Sequence, residues 1–228
     1  MFFLDYTIIL LIPGLIFSAF AQYKVSTTFA KYNKVRIENG LTGSDASRRL
    51  LSLHGLNLPI KSVSGNLTDH YDPRNKSISL SQNVANQATV AAVGVAAHET
   101  GHAIQDDEHY FPLTLRNLIY PACGFASKAA WPLFFIGLIF GSNAFGGTLM
   151  NIGILLYVVV IFFYLITLPV EFNASHRALV MLHEDGMVSP EEEKAVKKVL
   201  TAAAMTYLAS ALMAILQLIR LLALRDRR

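Results

Sequence analysis

A single cysteine, Cys123, stands in a chain of 228 residues. That scarcity excludes an intramolecular disulfide framework and any multi-cysteine zinc knuckle. Charge is thin as well: Asp, Glu, Lys and Arg make up 15%, against about 25% in an ordinary soluble protein. There is no Lys/Arg block, and a net charge of +3 arises from 19 basic and 16 acidic residues, so no nucleic-acid partner is expected. What the chain holds in excess is apolarity. Hydrophobic residues reach 53% and mean hydropathy is +0.42, bunched into runs, which argues against disorder and for a membrane protein. The length suits one functional unit carried on membrane spans, not two full-sized soluble domains.

The runs set the organisation. Tyr6 to Ala21, with Phe2 to Leu4 before it, approaches the ~20 residues that cross a bilayer and reads as a first span over 1–21. Ala19-Phe20-Ala21 resembles a signal-peptide cleavage site, but Asp5 and the lack of Lys or Arg ahead of it oppose that reading. Residues 22–117 form a polar, water-facing region. Within it Ser44 to His54 reads as a short helix with Thr42 and Ser44 as start signals and Gly55 as stop. Leu67–Asp72 and Ser77–Ser81, flanking Pro73-Arg74-Asn75-Lys76, read as a β-hairpin whose second strand is half-exposed. A helix from about Asn83 to Gln105 follows. Residues 118–170 carry a transmembrane hairpin, Ala129–Phe145 and Ile152–Val170, turning at Gly146-Gly147-Thr148. Residues 171–198 are a polar connector, with Ser189-Pro190-Glu191-Glu192 opening a helix as a capping box; Glu191 to Lys198 reads as a solvated face. Residues 199–228 form a last apolar helix that spans or packs on the membrane. Lys24, Lys31, Lys34, Arg36, Arg116, Lys128, Arg177, Lys194, Lys197 and Lys198 fall on the side of the polar region, which places that side in the cytoplasm of a multi-pass cell-membrane protein. Arg225, Arg227 and Arg228 fit this only if the last helix stops short of crossing.

The chemistry lies in His98-Glu99-Thr100-Gly101-His102, an HExxH. Residues four apart share one helix face, so both imidazoles can meet one metal, and Glu99 beside them can deprotonate a water. Zinc suits neutral imidazole nitrogens and keeps one position open for that water. With 7 histidines and 8 glutamates in the chain, composition predicts about 0.007 chance matches, so coincidence is a poor explanation. A third ligand is needed. The metzincin extension is absent, because Gln105 and Glu108 stand where it requires Gly and His. Glu171 is the attractive candidate, since a hairpin returns to the face it left; Asp106, Asp107, Glu108, His109, His176 and His183 are the alternatives.

HETGHAIQ, the upstream LTDHYDPRNKSISLS and the later EFNASHRAL, in that order, resemble the neutral zinc metallopeptidases of the YugP type, bacterial multipass membrane proteins. The match runs from about Thr42 to the last helix. More distantly the pattern is similar to the HtpX and CaaX-prenyl-protease group. The resemblance implies Glu171 as the third ligand. Ser175 stands where those relatives have Asp, which puts a carboxylate behind a ligand histidine in doubt; Asn173 is a partial substitute. It also implies that Ser77, Ile78, Ser79 and Leu80 form an edge strand able to pair with an extended substrate. His70, Tyr71, His176 and Arg177 are candidates for the oxyanion.

The expectation is therefore a mainly α membrane protein with about four transmembrane helices and a zincin-like α+β catalytic region. One Zn²⁺ per chain sits on His98, His102 and Glu171, and Glu99 is the general base of a zinc endopeptidase. Its partners are the bilayer and membrane-associated protein or peptide substrates; a companion membrane protein is compatible with the sequence, which names none. The rival readings are a non-catalytic zinc-binding scaffold and an intramembrane site-2-type protease.

Overall fold

The helices that dominate this computed structural model run much longer than the apolar stretches that announce them. It describes residues 6–141 and 143–226; residues 1–5, at the start of the expected first span, and Arg227 and Arg228, from the orientation argument, lie outside the described residues. After a 3₁₀ turn at Tyr6–Leu11 come α1 (Ile12–Tyr32), α2 (Gly43–Leu53), β1 (Ile60–Val63), β2 (His70–Asp72), β3 (Ser77–Ser81), α3 (Gln82–Ala85), α4 (Val90–Asp107), α5 (Phe111–Phe140), α6 (Ala144–Glu184) and α7 (Pro190–Arg225). Tyr6–Tyr32, α5, α6 and α7 are each long and apolar enough to cross a membrane. This is a mainly α membrane protein with one small sheet.

The chain divides into two units. The first comprises Met1–Phe20, Thr114–Leu168 and Thr206–Arg228, and its core gathers Ala130, Phe134, Met150, Ile154, Tyr157, Ile161, Ala214 and Leu221. Small residues let its helices touch. A Cβ on Gly153 would lie 2.8 Å from the Ala130 carbonyl, and one on Gly146 2.8 Å from that of Gly137. The hairpin therefore turns earlier than expected. Gly141, at φ +67°, ends α5, and Asn143 accepts the Gly146 N–H at 2.7 Å, so Gly146-Gly147-Thr148 belongs to the opening of α6. Gly146 serves close packing, not reversal, whereas a side chain on Gly147 would meet open space.

The second unit, Ala21–Leu113 and Pro169–Met205, holds the polar region. Its α2 starts at the expected signal, Thr42, which forms a capping box with Asp45, each bonding the other's backbone N–H, and α7 begins at Pro190 with the expected box of Ser189 and Glu192. The expected helix from 83 to 105 is broken: α3 stops at Ala85, and Thr89 caps α4 by accepting the Ala92 N–H. The sheet order is β1-β3-β2, with β1 parallel and β2 antiparallel to β3. This corrects two expectations. β3 is buried at all five positions because its serines, too, face neighbours; Ser81, for instance, donates its hydroxyl to Asp69 at 3.2 Å. And β3 is the central strand, so Ser77, Ile78, Ser79 and Leu80 have their backbone edges already paired and present no edge to a substrate.

Candidate metal centre

The site lies wholly within the second unit and is built where α4 meets the polar half of α6. Gly101 sets the spacing. A Cβ there would lie 2.7 Å from the Ala174 carbonyl, closer than such atoms approach, so the two backbones touch only because position 101 has no side chain. One turn of helix brings His98 and His102 to the same face, their rings 4.7 Å apart and nearly perpendicular. From α6, Glu171 Oε2 reaches 3.3 Å from His98 Nε2 and 3.5 Å from His102 Nε2. Among the described residues, these are the group whose donor atoms, all within 4.8 Å of one another, could hold a metal ion. The donor set fits zinc: two imidazole nitrogens and a carboxylate oxygen, the three protein ligands of a catalytic rather than a closed structural site.

The far nitrogens orient the rings. His98 Nδ1 lies 3.1 Å from Ser175 Oγ, and His102 Nδ1 lies 2.9 Å from Gln105 Oε1. With Gln105 accepting from Nδ1–H, the His102 Nε2 lone pair is directed at the site. Gln105 is itself fixed. Fully buried, it donates Nε2 to the Val170 carbonyl at 2.9 Å and to Asn173 Oδ1 at 2.8 Å. Asn173 also accepts Arg177 Nε at 2.8 Å, and Arg177 pairs with Glu108 at 2.7 Å. Thus Asn173 acts one step further out, through Gln105, and an uncharged amide and hydroxyl stand behind the two histidines. Gln105 is the residue that the motif alone does not flag, although its spacing three after His102 puts it on the same helical face.

Glu99 is buried, 8% exposed. Burial pushes its pKa up to about 7; Glu171 and Asp69 add to the rise, while His98 and the Tyr71 N–H oppose it. The Tyr71 hydroxyl, bonded to Asp106, brings β2, the outer strand on that side of the sheet, against α4.

The remaining candidates lie elsewhere. Tyr71 donates its hydroxyl to Asp106 at 2.7 Å; burial and that acceptor hold the phenol protonated, well above its ordinary range. His70 is exposed, with Nδ1 on the Thr68 carbonyl. His176 is exposed beside a shallow depression with His54 and Glu184. Of the alternative third ligands, Asp106 is taken by Tyr71 and Lys76, Glu108 by Arg177 and His183 by Glu193, while His109 forms the turn after α4 at φ +54°.

A sequence model of the family described as "Putative neutral zinc metallopeptidase" matches residues 7–226. The Bacillus subtilis (strain 168) protein named "Putative membrane protease YugP" is 45% identical over 214 residues, which cover 93% of each chain. No solved structure matches the chain.

Proposed function

The chain belongs to the neutral zinc metallopeptidase family, and from that premise we propose that it is a membrane-anchored zinc endopeptidase with its site on the cytoplasmic side. His98, His102 and Glu171 hold one zinc ion per chain. When bound, zinc supplies Lewis acidity, acidifying a water and polarising a peptide carbonyl. Glu99 takes a proton from the attacking water and delivers it to the leaving amine. Gln105 and Ser175 keep both imidazoles in the tautomer and orientation that leave Nε2 available. The observation that carries the reading is the placement of Glu99, buried directly beside the three converging donors. A purely structural zinc site has no use for it.

Substrate pairing moves from β3 to β2. The outer edge of β2, over His70 to Asp72, is unpaired in the sheet, and Tyr71 ties the strand to Asp106 of the active helix, so an extended peptide adding to that edge would lie close to the site. Membrane proteins, or peptides held close to the bilayer, are the substrates that such an anchor favours. α4 is not among the four helices long and apolar enough to span, which supports a water-facing site over an intramembrane one.

The test uses purified full-length protein, with zinc content measured by atomic emission and hydrolysis by cleavage of a fluorogenic peptide library. Glu99→Gln is expected to retain zinc while its turnover falls about 10²–10⁴-fold. Equal hydrolysis by both proteins removes Glu99 from the role of base. Bound zinc with no hydrolysis by either favours the scaffold reading.

A further inference from the structure

Away from the metal centre, the second unit carries a groove of ≈ 740 Å³ lined by Lys24, Lys31, Lys194, Lys197 and Lys198 together with threonines and apolar side chains. Its walls repeat one pattern. On α1 the lining residues fall at 24, 27, 28 and 31, and on α7 at 194, 197, 198 and 201, so each helix presents a single face of lysines and threonine hydroxyls. No carboxylate lines the groove, and among the described residues none pairs with any of the five lysines.

Of the three acidic residues nearest in sequence, Glu191 is exposed and does not line the groove, and the other two are committed elsewhere. Glu192 accepts the N–H groups of Glu38 and Ser189, and Glu193 pairs with His183 at 2.8 Å. Five like charges in one cleft repel one another unless an anion joins them. The location narrows the choice. The lysines of α1 come directly after its apolar stretch, those of α7 directly before Leu200–Leu224, and Ala202 and Met205 continue the lining into that apolar run.

We propose that this groove binds the headgroup phosphate of an anionic phospholipid, with its acyl chains leaving past Ala202 and Met205. Phosphate oxygens match ammonium and hydroxyl donors, and a basic cleft between membrane helices at the headgroup level is where such a lipid is held. This site is independent of the peptidase reading.

Native mass spectrometry of the full-length protein, released from detergent with phosphatidylglycerol or phosphatidylcholine added, counts the retained lipid. Wild type is expected to keep phosphatidylglycerol in preference to phosphatidylcholine. Lys194→Gln/Lys197→Gln/Lys198→Gln should weaken that binding roughly a hundredfold, about fivefold for each cation removed. Arg48→Gln/Arg49→Gln/Lys61→Gln, which removes as much charge elsewhere in the same unit, should leave it unchanged. Should the first variant fail to fold, as judged by its unfolding midpoint, Lys24→Gln/Lys31→Gln on the opposite wall decides. Equal losses in the groove and control variants, or none in either, overturn the site. Glycerol 1-phosphate or a glutamate-rich peptide displacing the lipid at equal concentration overturns its assignment to a lipid.

Discussion

Residues 144–168 and 169–184 belong to one unbroken helix, α6, yet they obey different chemistries. In the first stretch the side-chain hydroxyls turn back on their own backbone, Thr148 to Ala144 and Thr167 to Phe163, and contact with α5 depends on glycines. In the second, Glu171, Asn173, Ser175 and Arg177 all reach across to α4 or to the turn after it. The backbone ladder is common to both. What changes is where most polar groups find partners: the threonines within the helix, as a bilayer demands, with Asn151, which accepts from Arg225 of α7, the exception, and the later residues on a neighbour. A single secondary-structure element thus carries both an apolar stretch of spanning length and a carboxylate able to join a metal-binding group.

That contrast can be broken most forcefully at Glu171. Glu171→Ala should lower zinc affinity by more than the hundredfold that is the upper range for outer partners, measured by competition with a chromophoric chelator; unchanged affinity would detach α6 from the metal. Next come paired glycine variants. Gly101→Val and Gly153→Val each force a side chain against backbone and should cost about 1–3 kcal/mol of stability, seen in the thermal unfolding of detergent-solubilised protein. Only Gly101→Val should also lose zinc from the molecules that remain folded. Smaller effects belong to the residues behind the histidines. Gln105→Ala and Ser175→Ala should each reduce zinc affinity by about 10–100-fold, Gln105→Ala more so because it strands buried partners on both helices. The smallest concerns acid. Its hydrogen bond from Arg177 holds the Glu108 carboxyl below the usual carboxylate range. The pair thus contributes stability above that range and loses it as pH falls through the depressed pKa. Arg177→Gln should flatten the acid side of a melting-temperature profile and shift the neutral value by about a degree, as expected of a partly exposed ion pair.

Reading the sequence succeeded where signals are local. HExxH announces itself because both histidines and the glutamate sit within one and a half turns, and the capping residues Thr42 and Ser189 mark their helices for the same reason. Glu171 lies 69 positions after His102, and no periodicity links them; it became legible through the return of the hairpin and the family resemblance. The pairing of β1 with β3 is similarly remote, and its parallel sense leaves no turn signal. The alternation of serine with Ile78 and Leu80 predicts one wet face, whereas β3 is buried at all five positions. Gln105 was in plain view on the motif's own helix. Its role depends on Val170 and Asn173, which arrive only when α6 folds against it.

The missing side chain at position 101 has a thermodynamic corollary. Because two backbones meet there, the three donors are gathered when the polypeptide folds, and the entropy lost in collecting them is not charged to metal capture. Demetallated protein should accordingly keep its helical content and cooperative melting, and differ from the loaded form by ligand linkage alone.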